Sequence, residues 1–296
     1  MKILITGHTV EDHIVFHGEE QEVKPGGIFY SASAFHFLKN AGDEIYLCTS
    51  IQKENYRLFA SVYDQFNQDY FSYVDKIPKI HLNVFEKKER HERYENITDK
   101  LVVPFEALNK FDGIFINMIT GFDISVKDIQ QVRKNYNGII YLDVHSLARG
   151  MDEHYRRDFR KIPEVEKWIS SVDIVQANDH ELFTLSEKLS EKEIAEELLR
   201  RGIKILLVTK GERGASVYTM KNEEVISLTI PAIQVETKNK VGCGDVFGAA
   251  FFSSYIKDKK MDKAFTLANI AGGCIASYSE IKKMKDLRHD VLSRFS

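Results

Sequence analysis

The 296-residue sequence predicts an α/β three-layer sandwich: a mostly parallel central sheet covered by helices on both faces, with a small β-sheet lid. Three observations predict it. Short apolar runs alternate with stretches of helical periodicity along most of the chain. Two segments instead alternate apolar and polar residues, the pattern of half-exposed strands. No repeat, low-complexity tract or Pro/Gly/Ser linker interrupts the order, so residues 1–296 are expected to form one domain.

The apolar runs at 2–6, 44–49, 113–118, 138–143, 173–176 and 204–209 read as buried strands. Helical periodicity occupies about 27–39, 53–67, 125–136, 179–187 and 191–201. The alternating segments 13–24 and 80–97 read as half-exposed antiparallel strands that project as the lid. Short strands near 214–220 and 223–228 follow, then helices at about 245–258, 260–278 and 283–293.

Composition narrows the class. Hydrophobic residues make up 43% of the chain, enough to bury a core and to exclude global disorder. A net charge of −3, from 41 basic and 44 acidic side chains, gives no electrostatic reason to expect nucleic acid or an anionic membrane. Cys48, Cys243 and Cys274 are widely spaced and form no C-x-x-C pair, which fits a reducing compartment better than disulfides or zinc. The opening run MKILITG reads as a buried strand rather than a signal peptide, and no stretch approaches membrane-spanning length. The expected location is the cytoplasm, and Asn96-Ile97-Thr98 is then a chance sequon.

The most informative stretch is Asn239 to Phe251, NKVGCGDVFGAAF. Gly242 and Gly244 flank Cys243, and Asp245 follows as an apolar helix begins. Glycines let backbone N–H groups approach an anion, and a helix N-terminus adds partial positive charge. An acid beside an anion-binding turn repels its ligand, so it makes sense as a base that takes a proton from an attacking hydroxyl. The spacing equally fits an acid that merely complements the helix dipole. No G-x-x-x-x-G-K-[ST] loop is present. The G-x-G-x-x-x-G spacing also departs from a dinucleotide fingerprint and lies near the wrong end of the chain.

This stretch resembles the signature of the ribokinase-like (PfkB) carbohydrate kinases, in which Asp-Thr-x-Gly-Ala-Gly-Asp-x-Phe carries the anion hole and the base. Gly242, Gly244, Asp245 and Phe247 match it, whereas Asn239, Val241 and Cys243 replace the first aspartate, the hydroxyl residue and the alanine. The resemblance implies a ribokinase-like fold and an ATP- and Mg²⁺-dependent phosphotransferase acting on a hydroxyl of a sugar-like small molecule. Asp245 would be the base, and the turn of Gly242, Cys243 and Gly244 the anion hole.

Further motifs follow in family order over about residues 1–280. Gly26-Gly27 resembles the glycine pair that opens a helix beneath the substrate; alone it reads as a turn entering a helix. Ser31 stands where many relatives carry asparagine. Asp12 matches the acid that binds substrate hydroxyls, although a solvated turn acid fits as well. Asn178 and Glu181 resemble the Asn-x-x-Glu that organises magnesium through its waters, and the same spacing is a helix capping box. Thr209, Lys210, Gly211 and Gly214 resemble the nucleotide loop, with a Gly-rich hairpin turn as the alternative. Asn269 falls where the family lines the adenine pocket. The Asp143-Val144-His145-Ser146 stretch and Arg149 match the family only loosely, and Arg149 is left out of the site.

The change at Asn239 makes monovalent-cation activation doubtful. Family members often pair their lids, so a homodimer through the lid is expected. The four-residue spacing of His13 and His17 lies on a strand-like segment and does not suggest zinc. Rival readings are a catalytically silent sugar- or nucleotide-binding member, a nucleoside kinase, and a nicotinamide oxidoreductase.

Overall fold

The computed structural model describes residues 1–16, 19–83 and 91–295. Its first strand, β1 (Lys2–Thr6), pairs in parallel with β4 (Glu44–Ile51) and β8 (Gly113–Asn117). Beyond β8 the sheet continues in parallel through β9 (Ile139–Asp143), β12 (Ile174–Asn178) and β13 (Ile205–Thr209). Two antiparallel strands, β14 (Ala215–Lys221) and β15 (Glu224–Ile230), complete that edge, and β5 (Phe71–Tyr73) closes the other. The order across the nine strands is β15-β14-β13-β12-β9-β8-β1-β4-β5.

Alternation along β1 explains the layers. Ile3 and Ile5 point to the face covered by α1 (Phe29–Leu38), α6 (Cys243–Asp258), α7 (Met261–Ser277) and α8 (Leu287–Phe295). Leu4 points to the opposite face, where α3 (Val126–Asn135), α4 (Val165–Ile169) and α5 (Glu191–Arg200) pack. A strand buried on both sides is apolar at every position, which is why the parallel strands read as continuous runs.

The lid is a four-stranded sheet in the order β3-β2-β6-β7. It consists of β2 (Thr9–Phe16), β3 (Glu19–Gly27), β6 (Lys79–Asn83) and β7 (His91–Glu95). Each alternating segment of the sequence is thus a hairpin, and the outer pairs are antiparallel. The central pair β2 and β6 is parallel, contrary to the expectation of antiparallel strands throughout. Periodicity reports the pleat, not the direction of the neighbour. His17 and most of the charge run at 87–93 lie outside the described residues.

Two predicted helices are much shorter. The 53–67 segment forms a single 3-10 turn at Tyr56–Leu58 and one helical turn, α2 (Ala60–Tyr63). Phe59 and Tyr63 stack at 5.4 Å and both rings pack against Phe29, so burying these rings governs the segment. The 179–187 segment is only a 3-10 turn, Glu181–Thr184. The carbonyls a longer helix would use are taken by the 161–162 segment: Ile162 N–H donates to Thr184 O (3.1 Å) and Lys161 Nζ to Phe183 O (3.0 Å). A short β10–β11 hairpin (Arg149–Met151, Arg157–Phe159) and α4 carried no periodic signal.

Candidate active site

The parallel strands deliver Asn117, Asp143, Asn178 and Thr209 to one edge as the final residues of β8, β9, β12 and β13. In open α/β sheets this carboxyl edge is where ligands bind. The start of α6 is presented to it by a left-handed turn at Gly242 (φ 82°). A side chain there would also strike the Tyr30 ring, with a Cβ 2.2 Å from its Cδ1, so glycine is required twice over. The first helical bond is Val246 N–H to Gly242 O (2.9 Å), which leaves the amides of Cys243, Gly244 and Asp245 ahead of the helix ladder. Gly244 differs from Gly242: a Cβ there meets only Gln176 Nε2, at 3.7 Å. Gln176 donates from the same nitrogen to Gly244 O (3.0 Å) and to Asp143 Oδ2 (3.1 Å), tying the turn to the sheet.

Asp245 is 9% exposed and reaches an open cleft of about 410 Å³ beneath the lid. Asp12, Gly27, Gly242 and Asp245, drawn from both ends of the sequence, share its lining with His145, Tyr30, Tyr94 and the apolar residues Ile80, Leu82, Ile119 and Val241. Among the described residues no Lys or Arg lines it, and its carboxylates are Asp12 and Asp245.

Asp12 lies on β2 rather than on a loop, and Gly26 and Gly27 end β3 rather than opening a helix, which begins at Phe29. The glycines are still needed by position. A Cβ on Gly26 would sit 2.3 Å from the Asp12 carboxyl carbon, and one on Gly27 (φ 62°) 2.5 Å from His8 O. Ser31 is fully buried behind the cleft. Its hydroxyl accepts from Asn117 Nδ2 (3.3 Å) and makes a long contact to Asp245 O (3.5 Å), so it adjoins the acid rather than the cleft lining.

Asn178 and Glu181 form a reciprocal pair: Glu181 N–H donates to Asn178 Oδ1 and Asn178 N–H to Glu181 Oε2, both at 2.8 Å. Burial pushes the Glu181 carboxyl above its usual range, with nearby His145 and Arg149 opposing. Burial also pushes Asp143 well above the carboxylate range, and the charges of Glu181 and Asp245 add to it. Among the described residues no cluster of three or more His, Cys, Asp or Glu is placed to hold a metal directly. Buried acids that raise one another's pKa have the chemistry to receive a divalent cation such as Mg²⁺.

The expected nucleotide residues lie farther along the edge, outside the lining of the lid cleft. Thr209 ends β13, and Gly211 (φ 56°) faces open space. Gly214 (φ 92°) has a glycine-only position, because a Cβ would meet Ile230 O at 2.0 Å. Lys210 Nζ is engaged by Glu191 (2.7 Å) and Ser216 Oγ (2.6 Å). Asn269 Nδ2 donates to Pro231 O (2.8 Å), which pins the 231–242 segment to α7. That segment contains no strand, so the Gly242 turn does not follow a β-strand as a dinucleotide fingerprint requires.

Sequence reasoning missed Asn117, Tyr30, Tyr94 and His145. Asn117 had a signal, as the one polar residue closing the apolar run Gly113 to Ile116. Tyr30 lies in the Gly26-Gly27 stretch and Tyr94 in the lid segment, neither singled out, and His145 sits in the loosely matching stretch after β9.

Residues 141–285 match the pfkB family carbohydrate kinase model, a stretch that holds the α6 turn and the Asn178–Glu181 pair. The C-terminal part of the chain thus carries a pfkB family carbohydrate kinase match. It is 28% identical over 143 residues to a fructokinase of Rhizobium leguminosarum bv. trifolii, covering 47% of this chain and 41% of that relative. It is 28% identical over 99 residues to a cytidine kinase of Thermococcus kodakarensis, covering 33% of this chain and 35% of that one. The chain thus aligns with less than half the length of these relatives. Solved structures extend the fold over the whole chain. A pyrophosphate-dependent kinase of the ribokinase family, complexed with a pyrophosphate analogue and myo-inositol, superposes with a TM-score of 0.79 at 18% identity, covering 98% of this chain and 100% of that one. The Burkholderia thailandensis nucleoside kinase in complex with inosine gives 0.77 at 16%, covering 99% and 97%. The central sheet with its separate lid is therefore a ribokinase fold. Among the described residues, no helix is long and apolar enough to cross a membrane.

Proposed function

We propose that this chain transfers the terminal phosphoryl group of ATP to a hydroxyl of a sugar-like substrate, with Asp245 as general base. The observation that carries the reading is the single cleft in which Asp12, Gly27, Gly242 and Asp245 converge. Asp12 accepts hydrogen bonds from substrate hydroxyls, and Asp245 takes the proton of the attacking one. The amides at the start of α6 stabilise charge on the phosphoryl in flight, and the lid keeps water from the reaction. Asn178, Glu181 and Asp143 would hold a magnesium ion, whose charge would neutralise that of the phosphates. Thr209, Lys210, Gly211, Gly214 and Asn269 are the proposed nucleotide side.

A second reading within the same chemistry is a nucleoside substrate. It is favoured by the apolar wall of Ile80, Leu82, Tyr94 and Ile119, which suits a base better than a bare polyol.

The test is ADP release across a panel of neutral sugars, polyols and nucleosides, with pyrophosphate run as an alternative donor. Asp245→Asn lowers turnover about 10²–10⁴-fold, the scale of a lost general base. Near-wild-type turnover in that variant sinks the base assignment. Ligand binding with no turnover on any donor points to the catalytically silent alternative.

A further inference from the structure

We propose that Asn117 is a positioning residue that holds the carboxylate of Asp245 for proton abstraction, an inference that rests on the role just proposed for Asp245. Asn117 is the last residue of β8, between β1 and β9 in the sheet, and is fully buried. Its neighbours along the strand, Ile114, Phe115 and Ile116, are buried and apolar, so packing alone calls for another aliphatic side chain here. The amide nitrogen donates to Asp245 Oδ1 at 2.6 Å, a short charge-assisted bond, and to Ser31 Oγ at 3.3 Å.

The other end of the amide shows what the residue is held for. Asn117 Oδ1 is buried and has no hydrogen-bond partner among the described residues. Leaving a buried acceptor unmatched is unfavourable, so the orientation is fixed by the two donated bonds. Turning the amide over would set its oxygen against the carboxylate oxygen. The side chain is therefore kept for donation to Asp245, and it commits Oδ1. That leaves Oδ2 as the oxygen that receives the substrate proton while the substrate oxygen forms its bond to phosphorus and the donor's leaving oxygen departs with its electrons.

The position is also rigid. Asn117 is anchored in the centre of a parallel sheet, and a Cβ on the facing Gly7 would meet Asn117 O at 2.8 Å, so the backbone there is closely packed. Asp245, by contrast, sits in the first turn of a helix entered through a glycine with no side-chain cap. The bond transfers the rigidity of the sheet to a carboxylate on a less constrained turn.

The experiment is a double-mutant cycle on the full chain with Asn117→Ala, Asn117→Leu and Asp245→Asn, reading kcat, KM and the melting temperature. Asn117→Leu fills the space and removes the donor, so it remains informative if the alanine variant is too unstable to purify. Each Asn117 variant is expected to lower kcat about 10²-fold, the scale of a reacting group displaced by about an ångström. KM should stay within about twofold, and in the Asp245→Asn background removing Asn117 should cost nothing further. Wild-type kcat in Asn117→Leu, or losses that multiply in the double variant, overturns the positioning role and leaves the base assignment standing. Near-wild-type turnover in Asp245→Asn alone removes the base assignment, and this inference with it.

Discussion

Gly242 and Gly244 are separated by one residue, yet their surroundings predict opposite outcomes for the same substitution. At Gly242 an alanine must adopt φ near 82° and place its methyl 2.2 Å from the buried Tyr30 ring. The left-handed backbone costs about 1–2 kcal/mol and the overpacking about 1–3 more, together about 2–5 kcal/mol. For a chain of this size that lowers the melting temperature by about 5–15 °C. At Gly244 the backbone φ is ordinary and the nearest heavy atom to an added methyl is 3.7 Å away. Gly244→Ala should therefore fold normally, gaining up to about 1 kcal/mol from the stiffer helix start. The amide N–H survives the substitution, but the methyl crowds the turn proposed to hold the phosphoryl group, and a displacement of about an ångström should lower turnover about 10²-fold. Melting curves and coupled ADP release on both variants make the test. Full activity in Gly244→Ala refutes close approach of the phosphoryl group to this residue, and a melting loss equal to that of Gly242→Ala refutes the steric argument.

Three further outcomes are expected. Burial, and secondarily Lys39, lowers the pKa of His36 below 6.5, so the unfolded chain takes the proton first; stability is full above about pH 6.5 and is lost as pH falls through the folded value. His36→Leu should flatten that acid limb in thermal melts, and an unchanged limb refutes the assignment. Asn239 Oδ1 accepts the Val241 N–H (3.0 Å) and brings no charge, so replacing potassium by tetramethylammonium at constant magnesium should leave turnover within about twofold, and a tenfold rise on restoring it (about 1.4 kcal/mol) overturns the reading. The lid sheet is proposed to pair with a second copy, and a monomer by light scattering at high micromolar concentration, with and without ligand, rules that out.

The parallel core was legible because strands buried on both faces are apolar without interruption, as Ile205 to Val208 illustrate. The lid was legible because its alternation is the signature of one covered face, yet the parallel pairing of β2 with β6 was not, since it depends on a crossover and leaves no periodic trace. The two overlong helices failed for a related reason. The 179–187 pattern is helical in its apolar spacing, but carbonyls 183 and 184 are claimed by residues 161 and 162, a tertiary competition that local sequence does not encode. Asp12 and Asp245 could be named from motifs, and Gly26 could be named without its reason: its missing side chain makes room for the Asp12 carboxyl across the hairpin. Asn117 shows the limit most clearly. A polar residue at the end of an apolar strand is visible in the sequence, but its partner lies 128 positions away and only the fold brings the two to 2.6 Å.

We propose that the acids of the sheet edge serve a cationic complement. Asp143, Glu181 and Asp245 come from three elements, and the first two lie high in pKa because burial and neighbouring acids disfavour their charge. A chain selected for stability alone would place neutral side chains at such positions, since unrelieved buried acids oppose folding. Glu181 could cap its turn equally well as glutamine, because only an accepting oxygen is used there. Its charge is therefore surplus to the local structure. Asp143 accepts from Gln176 through Oδ2 and from the His145 backbone, contacts made by its oxygens whether or not it is charged. What the extra negative charge can do is attract a divalent cation with its water shell toward the edge where the phosphates of the donor are proposed to lie. Glu181→Gln thus separates the two roles: the reciprocal pair with Asn178 persists, while the magnesium needed for half-maximal turnover should rise.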